Sequence, residues 1–340
     1  MVFSTPDMPV PDDRPVWDVW LSSVWLPAVL AADELGIFDS LGREPATAEE
    51  LAERLDLNEH ALIGVLALLA GLGLLARRLG RFGPTAAGRL YLRHGEPFYW
   101  GEALGVMRSL PTVALLREAL RDKSVRRHYQ MSRQWTDGQI AAEAAAGVAR
   151  LMQSQSLPAA LGLAALGELR DIRSLLDVGG GSGCFAIALA RRYSGLRCTV
   201  LELPAMCGVV AGYVDGAGLA GRVDTVAADM FQDPWPRGYD AILLSNVFHD
   251  WDAATNGQLA IEAFEALPPG GRILVHEMLL DDGRAGPLPA AAFSVMMLLA
   301  TGGRQYSARE LAGLLTDAGF VDVGVTAAYG YYSLVSARKP

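Results

Sequence analysis

Apolar positions change their rhythm once along this chain. In the first half they fall at helical spacing. Trp17, Trp20, Val24, Ala28 and Leu35 lie three or four residues apart or at multiples of that step, which predicts an amphipathic helix over 17–38. Thr47 followed by Glu50 is a capping box, in which hydroxyl and carboxylate each satisfy an orphan amide, so a helix opens there. A second helix is expected over 58–73, apolar around most of its circumference, and RRLGRFGPTAAGRLYL (77–92) reads as a short hairpin followed by another helix. Helices followed by a small wing give the order of a winged-helix domain. Residues 98–170 are mostly helical and rich in Ala and Leu. Near 172 strand-length apolar runs begin: 173–180, 196–203, 223–229, 239–247 and 271–279, with helical stretches at 183–193, 206–216 and 254–267 between them. Such alternation predicts a parallel sheet with helices on both faces.

Charge and cysteine content narrow the function. Lys and Arg number 29 against 38 Asp and Glu, a net charge of −9, which suits neither a phosphate backbone nor a nucleic-acid partner. The helix at 58–73 also lacks the Lys, Arg and base-reading polar groups that a major groove requires. The basic cluster RDKSVRRHYQ (121–130) reads as a solvated face. Cys184, Cys198 and Cys207 form no CxxC pair, which excludes a zinc knuckle and a disulfide scaffold. No basic stretch followed by an apolar core opens the chain, and the apolar runs 17–38 and 61–76 read as buried helices. A cytoplasmic protein without a membrane span is therefore expected.

In open α/β sheets, ligands bind beyond the carboxyl ends of the strands. The first strand ends in Asp177-Val178-Gly179-Gly180-Gly181-Ser182-Gly183, where glycines let the backbone approach a ligand and the next helix offers its amides. Asp177 is unfavourable for a pyrophosphate and favourable for an ammonium group. The second strand ends in Glu202, 25 residues on, where a carboxylate can accept both hydroxyls of a ribose; this indicates a nucleoside without saying which. The third ends in Asp229-Met230-Phe231, suited to holding an adenine by edge and face. The fourth leads into Ser245-Asn246-Val247-Phe248-His249, which puts a candidate general base at a ligand-facing loop. Glu277, near the end of the next strand, is placed to orient that imidazole.

These residues resemble the S-adenosylmethionine-dependent small-molecule O-methyltransferases, typified by plant caffeic-acid-type enzymes and bacterial natural-product relatives. The resemblance is carried by LLDVGGGSG (175–183), LELP (201–204), AADMF (227–231), NVFHDWD (246–252), LPPGGRILVHEMLLDDG (267–283) and TGGRQYSARELAGLLTDAGF (301–320), and spans almost the whole chain. It implies a Rossmann-like class I methyltransferase domain preceded by a helical, winged-helix-like dimerisation domain, and hence a homodimer. The implied division is 11–96 for dimerisation, 97–170 as a helical connector contributing to the acceptor pocket, and 171–340 for cofactor binding and catalysis. Cofactor S-adenosylmethionine would be held by Asp177, Gly179, Gly180 and Gly181 at its methionine part, by Glu202 with Leu203 at the ribose, and by Asp229, Met230, Phe231 and Ser245 at the adenine. His249 would be the base, with Glu277 beside it. Met152 and Gln155 on one side, and Met296 and Ala300 on the other, would line the acceptor pocket, with Arg133 and Trp135 as weaker candidates. No metal is expected, and Asp250 and Asp252 read as a loop and a helix cap.

Two positions depart from the family pattern. Gln305 stands where many members carry a second glutamate flanking the histidine, and Ser245 stands where plant relatives often carry lysine. The first leaves C-methylation of an aromatic or enolisable acceptor open beside O-methylation of a small aromatic secondary metabolite. A non-catalytic regulatory protein with a winged-helix reader is the remaining alternative, supported by the first half alone.

Overall fold

The computed structural model describes residues 11–122 and 142–340. Arg133, Trp135 and most of the basic cluster lie outside them. The chain forms two compact units.

One unit takes in the described parts of Met1–Asp13, Arg133–Met278 and Ala308–Pro340. At its centre is a seven-stranded sheet. Its strands are β3 (Ser174–Val178), β4 (Arg197–Glu202), β5 (Val223–Ala227), β6 (Ala241–Ser245), β7 (Arg272–Met278), β8 (Val321–Ala327) and β9 (Tyr332–Arg338). The order is β5-β4-β3-β6-β7-β9-β8. The five strands foreseen from the apolar runs are all parallel. Strand order reverses between β3 and β6, the switch point at which such sheets open a crevice.

The expectation of a wholly parallel sheet is corrected at one edge, where β9 runs antiparallel to both β7 and β8. The cause is local. Only residues 328–331 connect β8 to β9, too few for the crossover that a parallel pair requires.

Helices Cys184–Arg192, Pro204–Gly216 and Ala253–Ala266 fill the intervals between the parallel strands. The long helix Ala142–Ala165 packs on the first two of these. Its Ala145 and Ala149 are fully buried with Leu203 and Met206, small side chains that allow a close approach.

The other unit comprises Arg14–Ser132 and Leu279–Ser307. The single helix expected over 17–38 is instead broken into Arg14–Leu21, a 3-10 turn at Ser22–Val24, Trp25–Glu34 and Ile37–Arg43. Two residues account for the breaks. Ser22 turns its hydroxyl onto the carbonyl of Val19, and Gly36 takes a left-handed φ of +69°. By length and composition alone Arg14–Glu34 is apolar enough to cross a membrane. Its Asp33 carboxylate, however, is buried and accepts from Tyr99 Oη (2.8 Å) and Arg108 (2.6 Å), which ties the segment into this unit.

The capping box forms as expected, with both Thr47 and Glu50 bonds present at the start of Ala48–Leu55. Helix Glu59–Gly71 buries every residue from Ala61 to Leu69, so none of that stretch is presented to a groove. The wing is β1 (Leu75–Arg78) paired antiparallel with β2 (Arg81–Pro84). Helix Leu288–Ala300 packs against Glu59–Gly71 within the same unit.

Candidate functional site

Every candidate cofactor residue belongs to the unit built on the sheet, and the reversal of strand order explains their convergence. β3 delivers the glycine loop, β4 delivers Glu202, and β6 and β7 deliver the His249 loop and Glu277 from the other side of the crevice. The crevice holds a cavity of about 580 Å³, open mouth included. Gly179, Glu202, Leu203, Asp229, Met230 and Phe231 line it, as does Met152 from the long helix.

The glycine loop is shaped by sterics. Gly179, Gly181 and Gly183 have φ of +65°, +61° and +73°, conformations that a β-carbon disfavours. Gly180 is constrained by contact instead. A methyl group there would lie 2.8 Å from Asp177 Oδ2 and from a Val200 methyl carbon. Gly180→Ala is therefore expected to push the Asp177 carboxylate aside. It should weaken S-adenosylmethionine affinity at least tenfold by calorimetry and cost about 1–3 kcal/mol of stability by thermal melting.

Asp177 is 0% exposed, and neither carboxylate oxygen has a well-formed hydrogen bond. Burial pushes its carboxyl up to about 7, assisted by the nearby Glu202 and opposed by the helix amide of Ala186. Glu202 is bound more firmly. Its Oε1 accepts from Gly181 N (3.0 Å) and its Oε2 from Leu203 N (2.8 Å). Burial nevertheless raises it to about 7. Of these two buried carboxyls, Glu202 is among the residues lining the cavity and Asp177 is not.

Asp229 shapes its own turn, accepting from Phe231 N (2.9 Å), while Trp235 holds the Met230 carbonyl (2.9 Å). Phe231 meets Trp251 edge to face, with centroids 4.7 Å apart. Ser245 Oγ is turned towards His276 Nδ1 (3.0 Å) and is not among the lining residues. Asn246, Val247, Asp250 and Trp251 line that wall instead.

His249 is 5% exposed and sits in the turn Phe248–Asp250 after β6. Its Nδ1 lies 2.8 Å from Glu277 Oε2, and its backbone N–H donates to Oε1 (3.3 Å). Glu277 therefore fixes both ring and loop, and in the neutral imidazole favours the tautomer with Nδ1 protonated. Asp252 caps the next helix through Thr255 N (2.8 Å). Asp250, read from sequence as part of a loop, has its Oδ1 3.6 Å from His249 Nε2. Burial alone would lower the imidazole, but the Glu277 and Asp250 carboxylates outweigh it and raise it to about 9. Glu277→Gln removes charge while keeping an acceptor. The midpoint of kcat/KM against pH is expected to move from about 9 towards the ordinary histidine value, with maximal rate down roughly 10–1000-fold in steady-state assays.

The acceptor candidates are divided between the units. Half-buried Gln155 shares the long helix with Met152, whereas half-buried Met296 and Ala300 lie on Leu288–Ala300 of the other unit. Gln305 also lies in the latter and is fully buried. Its backbone N–H donates to Ser294 Oγ (3.1 Å), and its side-chain amide has no partner among the described residues. No group of three or more His, Cys, Asp or Glu among the described residues is arranged to hold a metal ion.

Comparison with known proteins gives this arrangement a family. Residues 17–94 match the O-methyltransferase dimerisation domain and residues 114–321 match the O-methyltransferase domain. The 3-hydroxy-5-methyl-1-naphthoate 3-O-methyltransferase of Streptomyces sahachiroi is 36% identical over 306 residues, 86% of this chain and 85% of that one. The tetracenomycin polyketide synthesis 8-O-methyl transferase of Streptomyces glaucescens is 30% identical, covering 92% and 93%. The crystal structure of an O-methyltransferase family 2 protein from Planctomyces limnophilus, in complex with apigenin, superposes with a TM-score of 0.88 at 28% identity over all of both chains. The sheet, the glycine loop and these matches along nearly the whole length place the chain in the S-adenosylmethionine-dependent O-methyltransferase family.

Proposed function

We propose that this protein methylates a phenolic hydroxyl of a small aromatic secondary metabolite, with His249 as general base and Glu277 as its orienting partner. The observation that carries this reading is the buried 2.8 Å His249–Glu277 pair, whose loop continues into the wall of the same cavity that Gly179 and Glu202 line. The glycine loop and the orphaned Asp177 carboxylate fit a methionine ammonium group. Glu202 fits a ribose, and Met230 and Phe231 fit a flat base.

When bound, S-adenosylmethionine supplies an already activated methyl group on a sulfonium. The chain has two tasks left. One is to align an oxygen nucleophile, for which an apolar wall with few polar groups suffices. The other is to take one proton, which passes from the phenol oxygen to His249 Nε2. The resulting imidazolium is stabilised by Glu277 through Nδ1–H and by Asp250 across 3.6 Å.

The acceptor class is carried over from the relatives, whose names specify a hydroxynaphthoate and a polyketide. Met152 and Gln155 are proposed to meet the acceptor from the unit built on the sheet. The proposed division of labour is dimerisation by 11–96, a connector over 97–170 and catalysis by 171–340, in a cytoplasmic homodimer with no nucleic-acid or membrane partner. C-methylation is the second reading, favoured by Gln305, whose neutral amide adds no charge to stabilise an imidazolium. Incubation with a panel of hydroxynaphthoates and other phenols, followed by mass spectrometry and NMR, separates the two. A methoxy product supports the first reading and a ring-methyl product the second.

A further inference from the structure

Asn246 follows β6 directly and has no part in the roles assigned above. Its backbone N–H donates to the His276 carbonyl (3.1 Å), extending the β6–β7 ladder by one bond. There its φ of +57° turns the chain out of the sheet towards His249. Asparagine is among the few residues other than glycine that adopt this left-handed conformation readily. The side chain lines the same cavity as Gly179, Glu202 and Met230, and its Oδ1 is buried without a hydrogen-bond partner. An unsatisfied buried acceptor on a cavity-lining residue marks a position kept for function.

The surroundings hold this amide in place. Its side chain faces the hydroxyl of Tyr332, which opens β9 and is buried. The Tyr332 ring stacks on His276 at 4.8 Å and 7°, and Phe185 meets that imidazole edge-on at 5.3 Å. His276 Nδ1 in turn lies 3.0 Å from Ser245 Oγ, the residue just before Asn246. Ser245, His276 and Tyr332 are thus linked to one another beside Asn246. None of the three lines the cavity.

We propose that Asn246 is a ligand-binding residue of the methyl-transfer cavity, its Oδ1 accepting a hydrogen bond from an N–H or O–H group of the bound cofactor or acceptor, and that Tyr332 positions its amide. This rests on the reading of the cavity as the cofactor site, which wild-type binding of S-adenosylmethionine tests separately.

The test compares wild type, Asn246→Gly and Tyr332→Phe by calorimetric Kd for S-adenosylmethionine, acceptor KM, kcat and thermal melting. Glycine keeps the left-handed turn, so Asn246→Gly is expected to melt at or above the wild-type temperature. It should still weaken binding at least tenfold: in the S-adenosylmethionine Kd if the donor group belongs to the cofactor, in the acceptor KM if it belongs to the acceptor. Tyr332→Phe should move the same constant by a smaller factor and leave the other unchanged. A folded Asn246→Gly protein with both constants at wild-type values overturns the binding role. A Tyr332→Phe protein altered only in melting temperature overturns the positioning role. Absence of cofactor binding by the wild-type protein would instead overturn the reading of the cavity itself.

Discussion

His249→Ala lowers methyl transfer by roughly 10²–10⁴-fold, the usual contribution of a positioned general base, and leaves S-adenosylmethionine affinity within about threefold of wild type. The two effects separate because His249 is held by Glu277 and Asp250, whereas the candidate cofactor contacts come from the glycine loop, Glu202 and the Asp229 turn. The wild-type pH profile carries a matching signature. Only the neutral imidazole accepts a proton, and the two carboxylates raise it to about 9. At pH 7 about one molecule in a hundred is then in the reactive form. Accordingly kcat/KM should rise about tenfold per pH unit up to a midpoint near 9. The kcat midpoint should lie lower, because a bound cation disfavours the imidazolium. Turnover by His249→Ala at near-wild-type rates with a flat profile would reduce catalysis to alignment of a phenol that ionises unaided.

Asp177 should make cofactor affinity fall as pH falls, in the same sense as an ordinary carboxylate site but with the effect moved up to near neutrality. In the ligand-free protein its carboxyl titrates at about 7 because it is buried without a well-formed hydrogen bond. An ammonium group beside it favours the carboxylate, so binding expels a proton. Below pH 7 affinity should weaken by up to tenfold per unit, and calorimetry in two buffers of different ionisation enthalpy should show about one proton released. Asp177→Asn should lose roughly 10–100-fold in affinity and flatten the slope. Any slope that survives belongs to Glu202, which titrates in the same range and is coupled to Asp177. Folding shows the same linkage. Carboxyls raised above their ordinary values contribute stability that is present below about pH 4 and is lost as pH rises through about 7.

The parts of this molecule legible in its sequence are those fixed by local rules. Alternating β and α periodicity located all five parallel strands to within about two residues. The Thr47–Glu50 spacing announced its capping box. The candidate site could be nominated because ligands in such sheets gather at strand ends. What stayed hidden depends on through-space placement. The antiparallel β8–β9 edge is set by a short loop and by packing on β7, and apolar alternation does not state a direction. Asp250 looked like a loop residue until the turn Phe248–Asp250 brought it to 3.6 Å from the imidazole. The Ser245 hydroxyl is engaged by His276, a partner 31 positions away that no local pattern announces. Asn246 stood in plain view inside NVFHDWD, but its positive φ and orphaned oxygen exist only in the folded chain.

Transfer of a labelled methyl group reports both the bond that forms and the need for His249. The wild-type protein is incubated with S-adenosylmethionine carrying a carbon-13 methyl and with a phenol that it turns over, and the product is read by carbon NMR. The label is expected as a methoxy carbon, appearing roughly 10²–10⁴-fold more slowly with His249→Ala. A label bonded to a ring carbon, or a methoxy label formed equally fast without His249, would contradict this expectation.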